Sequence, residues 1–454
     1  MKKVKTTINF VCQECGYDSP SWLGKCPECG SWNSMKEIRI SKGGESPTSS
    51  LSPQTTAKPQ TLKEIAYSEK LRIQTEYEEL NTVLGGGIVQ GSVTLMAGDP
   101  GVGKSTLLLQ LALSLAQSSD QQVLYVSGEE SVEQIKMRAE RIAVAQKTAS
   151  KKSSKSDENL LLLAMTDSDA IVRQIEETKP DLVIIDSIQT IESQNVSGLS
   201  GSVGQVRYGA LQFVRVAKQH NIPIMLVGHV TKEGMVAGPM VLSHMVDTVL
   251  FLEGEKFSKT RILRSLKNRF GPVDEVGIFL MEEEGMTEAK NPEQLFLSTK
   301  QEKVPGSVLV ATLEGSRAFL VEIQALTVSS RLPMPRRVVS GVDSRRTELL
   351  LAVLQKHCGL PVDTMDVFVN VAGGLRLSDP AIDLGICLAV YSSVNNIALN
   401  TTVGIAEVGL LGELRQVNGL EKRTREAQKL GFKKVITAKD YKTLRDVIGS
   451  LGKK

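Results

Sequence analysis

The stretch GDPGVGKS, Gly98 to Ser105, lies between the apolar run VTLMA and the helix-patterned STLLLQLALSLA. No other feature restricts the possible folds as much. A glycine-rich turn from a buried strand into a helix is the local geometry in which backbone N–H groups wrap phosphates while the helix N-terminus adds its positive end. The reading assigns Gly98, Asp99, Pro100, Gly101, Val102 and Gly103 to the cradle, Lys104 to the β/γ-phosphates, the Ser105 hydroxyl to Mg²⁺, and Thr106 to the neighbourhood of the α-phosphate.

A loop of this kind needs a parallel sheet behind it, and the following sequence supplies one. VLYVSG, LLLLAM, LVIID and IPIMLVGH alternate with helical periodicity around Val132 to Ile142, after Ser168, and near Gln205 to His220. Such alternation predicts an α/β sheet with helices on both faces. LVIID ends in Asp186, a second Mg²⁺ anchor at the strand's C-terminal edge. Glu129 and Glu130 follow VLYVS on the same edge. Glu129 is expected to act as the base that activates water and Glu130 to assist, although first-turn acids also serve to cap a helix.

At 454 residues the chain exceeds one compact core. The expected division is a four-Cys finger over 1–40, a flexible Ser/Thr/Pro/Gly-rich linker over 41–60, an ATPase core over 61–290 and an α+β domain over 291–454. A polar, lysine-rich insertion, Ala145 to Asn159, is expected on the surface. In the first segment Cys12-x-x-Cys15 and Cys26-x-x-Cys29 are separated by ten residues, with Gly16 and Gly30 completing the turns. Two such pairs supply the four thiolates of a tetrahedral Zn²⁺ site. Trp22, Lys25 and Trp32 fit either a very small core or a base-stacking surface. Cys358 and Cys387 read as buried small hydrophobes.

The motifs ELNTVLGGGIVQGSVTLMAGDPGVGKST, VLYVSGEES, LVIIDSIQT and IPIMLVGHVTKEG resemble the ATPase core of the RecA superfamily, which includes DnaB-type helicases. The resemblance implies ATP as the nucleotide, Glu129 as the catalytic glutamate, and His229 as the γ-phosphate sensor, a position usually held by Gln in RecA itself. Between two strand-like runs, KNRFGP resembles the short basic motif that members of this superfamily insert into a neighbouring subunit's ATP site. Alternation turns Lys267 and Arg269 to one side, and the resemblance implies that they act in trans as an arginine finger does.

DVFVNVAGGLRLSDPAIDLGICLAVYSS and VGIAEVGLLGELRQVNGLEKR resemble the proteolytic domain of Lon, but Asp383 and Glu421 stand where that family has its serine and lysine, with Lys422 adjacent. Two carboxylates cannot form that nucleophile and base, so an inactive scaffold is expected. The combination of finger, core, basic motif and Lon-like domain resembles bacterial repair ATPases of the RecA superfamily. This implies a homo-hexameric ring helicase that translocates on single-stranded DNA, acts on branched DNA through branch migration and D-loop extension, and works with a RecA-type recombinase.

The net charge is only +3, so any nucleic-acid surface must be local. Candidate contacts are Arg207, Lys232, Arg336, Arg337, Arg345 and Arg346, joined by Arg331 and Arg376 and by the loops Ser193 to Val206 and Val230 to Met240. No apolar run approaches the ~18 residues of a membrane span, and a cytoplasmic protein is expected. Two other readings stay open: an ATP-switched binder of branched DNA without unwinding, and a signalling ATPase resembling KaiC that needs no DNA.

Overall fold

The computed structural model describes residues 6–12, 18–28, 30, 32–41, 61, 72–118, 121–147, 156–229, 239–254, 258–283, 285–289, 297, 304–399 and 401–451. Contacts divide the chain into two compact units, one comprising Met1–Glu253, Leu263–Val273 and Met281–Met286, the other Gly254–Ile262, Asp274–Leu280 and Thr287–Lys454.

The chain begins with a small antiparallel sheet of β1 (Thr6–Cys12), β2 (Asp18–Ser19) and β3 (Met35–Ser41), in the order β2-β1-β3. A short hairpin-like pair, β4 (Arg72–Ile73) and β5 (Ile88–Val89), brackets α1 (Glu78–Leu84). Next come β6 (Val93–Gly98), α2 (Lys104–Ser118), β7 (Val123–Ser127), α3 (Val132–Lys147), α4 (Ser156–Asn159), β8 (Leu160–Ala164), α5 (Ser168–Thr178) and β9 (Leu182–Asp186). The chain continues with α6 (Val203–His220), β10 (Ile224–His229), α7 (Pro239–Ser243), β11 (Thr248–Glu253), β12 (Thr260–Asn268), β13 (Val276–Glu282) and β14 (Gly285–Glu288).

Strands β6 to β14 form a nine-stranded sheet in the order β14-β13-β12-β11-β6-β10-β9-β7-β8. Pairing is parallel from β11 through β8. A parallel sheet is covered on both faces, so its strands lose the in-out alternation of polarity; β6, β7 and β9 are buried along their whole length. One face is formed by Leu95, Ala97, Leu124, Val126, Val183 and Ile185 and packs with α5 and α6 through Ile171, Ile175, Val206, Ala210 and Phe213. Helix α2 packs against β6, β7 and β9. Caps set the limits of several helices: the Asp167 side chain accepts from Asp169 and Ala170 N–H at the start of α5, and Gly85 in the left-handed region ends α1.

The second unit contains β15 (Ser307–Glu314), β16 (Arg317–Ser329), β17 (Arg337–Ser340), α8 (Ser344–Cys358), β18 (Met365–Val371), α9 (Asp383–Asn395) and β19 (Thr402–Ile405). It ends with β20 (Glu407–Val408), β21 (Leu414–Arg415), α10 (Leu420–Lys429), β22 (Lys434–Thr437) and α11 (Leu444–Leu451). Its six-stranded mixed sheet runs β17-β18-β16-β15-β19-β22. Helix α9 is apolar all round and buried from Asp383 to Ser392, packed against β15, β16 and α8, as expected of a helix with no polar face to present to water.

Candidate nucleotide site

The glycine-rich loop lies between β6 and α2, as the sequence pattern predicts. Gly103 has φ +111°, a backbone conformation that L side chains rarely adopt, so glycine suits this point of the loop. Lys104 opens α2 and is 3% exposed. Its Nζ donates to Gly98 O at 2.8 Å and Asp99 O at 2.9 Å. Burial lowers its pKa to about 8, against the opposing pull of the Asp186, Asp99 and Glu129 carboxylates. Lys104 therefore shares its electrostatic neighbourhood with Asp186 and Glu129, two of the acids singled out in the sequence.

Strand register brings these groups to one edge. Ser127 pairs with Asp186, and His229 pairs with Gly98. The Gly128 N–H donates to Asp186 O at 2.9 Å, and a Cβ on Gly128 would collide with Thr190 Oγ1, so the turn carrying Glu129 lies tight against the segment after β9. Asp186 is 7% exposed, and its Oδ2 accepts from the Tyr125 hydroxyl at 2.6 Å. Glu129 Oε1 accepts from Ser187 Oγ at 2.6 Å and lies 3.6 Å from His229 Nε2. Glu130 instead pairs with Arg138 at 3.1 Å.

Burial, then the nearby Lys104 charge, lower the His229 pKa against the pull of Glu129 and Asp186, which keeps the ring neutral at physiological pH. The His229 carbonyl accepts from Gln189 Nε2 at 3.1 Å. Sequence reasoning did not single out Tyr125, Arg138, Ser187 or Gln189. The available signals were a phenol inside an otherwise aliphatic strand and a hydroxyl directly after Asp186.

A hydroxyl at Ser105 and a buried carboxylate at Asp186 with one oxygen committed to Tyr125 are hard oxygen donors few in number, which suits Mg²⁺ completing its shell with phosphate and water. For zinc, Cys12 and Cys26 are each 1% exposed and share one small cluster with Phe10, Leu23 and Met35. Gly30, at φ +74°, donates its N–H to Cys26 O at 2.9 Å, making the tight turn a Cys-x-x-Cys pair needs. One cysteine from each pair is thus buried in the same small cluster, and soft thiolates of this kind suit the four-sulfur chemistry of a Zn²⁺ site. Cys15, Cys29 and Gly16 lie outside the described residues, and among the described residues no three His, Cys, Asp or Glu side chains gather.

At the end of β12, Lys267 Nζ donates to Ser243 O at 2.6 Å and Val246 O at 2.8 Å. Arg269, 57% exposed, pairs with Asp247 at 3.3 Å. Asp247 is buried and also takes Lys218 Nζ at 2.6 Å and the Val93 N–H at 3.0 Å. The two cations thus have separate anchors within their own unit.

Arg207, Arg331, Arg336, Arg345 and Arg376 are exposed. Lys232 and most of the loop Val230 to Met240 lie outside the described residues. Arg337 and Arg346 depart from the expectation of free phosphate contacts. The Arg337 guanidinium donates to Met365 O and to Val362 O at 2.5 Å, and Arg346 forms an ion pair with Asp383, so their donors are committed internally. Asp383 is 1% exposed and also accepts from the Val408 N–H at 3.1 Å. Burial outweighs the pull of Arg346 and holds its pKa above the ordinary carboxylate range. Glu421 and Lys422 are exposed at the start of α10. Among the described residues no helix is long and apolar enough to cross a membrane.

Three family models match the chain: the rubredoxin metal binding domain over residues 10–37, the AAA domain over 57–235, and subunit ChlI of Mg-chelatase over 335–441. Together with the architecture they give an N-terminal zinc ribbon, a RecA-like P-loop core and a Lon-like C-terminal α+β domain. The solved structure of the RadB recombinase is 22% identical, covering 48% of this chain and 99% of that one with a TM-score of 0.38. The DNA repair protein RadA of Bacillus subtilis (strain 168) is 47% identical, over 95% of this chain and 92% of its own length. That of Halalkalibacterium halodurans is 49% identical, over 96% and 93%. With similarity of this degree running through ribbon, core and C-terminal domain alike, the chain belongs to the RadA family of DNA repair proteins.

Proposed function

We propose that this protein is a DNA-dependent ATPase and ring helicase that translocates on single-stranded DNA and drives branch migration and D-loop extension in recombinational repair. The observation that supports this reading most is the gathering of Lys104, Asp186, Glu129 and His229 at one edge of a parallel sheet, beside a glycine-rich loop. In this reading Lys104 leaves the Gly98 and Asp99 carbonyls for the β/γ-phosphates, Ser105 and Asp186 hold Mg²⁺, and Glu129 takes the proton of the attacking water. Bound Mg²⁺ supplies charge neutralisation on the phosphate oxygens. His229, neutral and beside both Glu129 and the loop, reports the presence of the γ-phosphate.

Lys267 and Arg269 serve a neighbouring subunit's site in a homo-hexamer, and the exposure of Arg269 is compatible with that role. Arg207, Arg336 and Arg345 are the exposed cations assigned to DNA phosphates, and the loops around Ser193 to Val206 and Lys232 to its single strand. A RecA-type recombinase is the expected partner, in the cytoplasm. The domain limits are 1–40, 41–60, 61–290 and 291–454. The C-terminal domain carries no protease activity, because Asp383 is a buried partner of Arg346 and provides no nucleophile.

The test is unwinding of a forked duplex with ATP by the wild-type protein and by Lys104→Ala. Unwinding by the wild type alone is the expected result. Nucleotide-dependent DNA binding with no unwinding by either protein would replace the helicase by an ATP-switched binder of branched DNA.

A further inference from the structure

Strand β7 reads VLYVS, and its central Tyr125 is fully buried among aliphatic neighbours. Phenylalanine would fill the same volume, and burying a hydroxyl without a partner costs about 1–3 kcal/mol. The hydroxyl has a definite use. It donates across to the next strand, to Asp186 Oδ2 at 2.6 Å, and its oxygen accepts from Arg138 Nη2 at 3.3 Å. Arg138, on α3, makes a two-point contact with Glu130, Nη1 to Oε1 and Nη2 to Oε2, each at 3.1 Å. Glu130 adjoins Glu129 in the turn after β7.

We infer that Tyr125 and Arg138 are positioning residues for the metal site, a relay Asp186–Tyr125–Arg138–Glu130 that fixes the rotation of the Asp186 carboxylate. The inference rests on the nucleotide-site reading above and gives Glu130 a different task from direct assistance in proton transfer. With Oδ2 bound by the phenol, a rotation of the carboxylate breaks a short charge-assisted hydrogen bond, so Oδ1 is presented in one orientation. Arg138 in turn keeps the hydroxyl hydrogen directed at Asp186, because the phenol oxygen already accepts from the guanidinium. Groups that orient a metal ligand in this way commonly contribute about 10–100-fold to metal affinity.

The experiment measures Mn²⁺ binding to the full-length protein with a non-hydrolysable ATP analogue, by electron paramagnetic resonance, and in parallel the Mg²⁺ dependence of ATP turnover. Tyr125→Phe is expected to weaken Mn²⁺ binding by about tenfold or more and to raise the half-saturating Mg²⁺ concentration more than it lowers kcat at saturating metal. Arg138→Gln is expected to do the same to a smaller degree, and it keeps the test available if Tyr125→Phe fails to fold. Unchanged metal constants in both variants, or in Arg138→Gln where it alone folds, with or without a lowered melting temperature, overturn the relay and leave the nucleotide-site reading standing. Absence of metal-dependent nucleotide binding in the wild type overturns both.

Discussion

Lys104 is the residue whose chemistry the nucleotide should change most, and the change can be counted in protons. Burial holds its pKa at about 8 instead of 10.5. Placing triphosphate oxygens beside the ammonium restores the charged form, so binding takes up whatever fraction of a proton the free protein has lost. With a pKa of about 8 in the free protein and the lysine fully charged beside the phosphates, the uptake is ~0.1 proton at pH 7, ~0.5 at pH 8 and ~0.9 at pH 9. The same linkage makes binding about tenfold weaker at pH 9 than at pH 7, roughly 1.4 kcal/mol.

The sign for folding is distinct. A lysine whose folded pKa lies below its unfolded value costs stability while charged, and this cost is relieved as pH rises from about 8 towards 10.5. The assay is calorimetric titration with a non-hydrolysable ATP analogue and Mg²⁺ in buffers of different ionisation enthalpy at each pH. Heats independent of buffer at pH 8 and 9 would refute the buried, half-discharged lysine on which the site's electrostatics are argued.

Other substitutions probe neighbouring features. Arg346→Met strands the buried Asp383 carboxylate and should cost ~2–3 kcal/mol near pH 7 by urea denaturation, less than a fully buried pair because Arg346 is 35% exposed; the loss should shrink as pH falls, because burial already raises the Asp383 pKa and a protonated carboxyl is no longer a stranded charge. Gly128→Ala forces a Cβ onto Thr190 and should displace Glu129, lowering ATP turnover at least ~100-fold while fluorescent-nucleotide binding changes little; equal turnover would show the close approach to be unimportant. Mixing inactive Glu129→Gln with inactive Arg269→Ala should restore part of the turnover if Arg269 serves a neighbouring site, and mixtures that stay inactive while subunits exchange would remove the trans assignment.

The glycine-rich loop, Asp186 and the parallel strands were legible because each is local: a motif of eight residues, a carboxylate ending an apolar run, an alternation of periods. The helix near Gln205 to His220 became α6, Val203–His220, for the same reason. What escaped was non-local. Tyr125 and Asp186 are 61 residues apart, and Arg346 and Asp383 are 37 apart, so neither pairing leaves a spacing to recognise. Arg337 and Arg346 looked like surface cations because sequence shows a charge but not the carbonyl or carboxylate opposite it. Lys267 and Arg269 were placed on one side by strand alternation, yet β12 ends at Asn268, so Arg269 lies beyond the strand and the two cations reach different anchors.

The grip of Lys267 on Ser243 and Val246 has a mechanical implication. An ammonium that leaves to meet a phosphate elsewhere abandons two main-chain oxygens just behind α7, and these must find water or new donors at once. Where water does not take the ammonium's place, extension of that side chain is coupled to rearrangement of the segment joining α7 to β11.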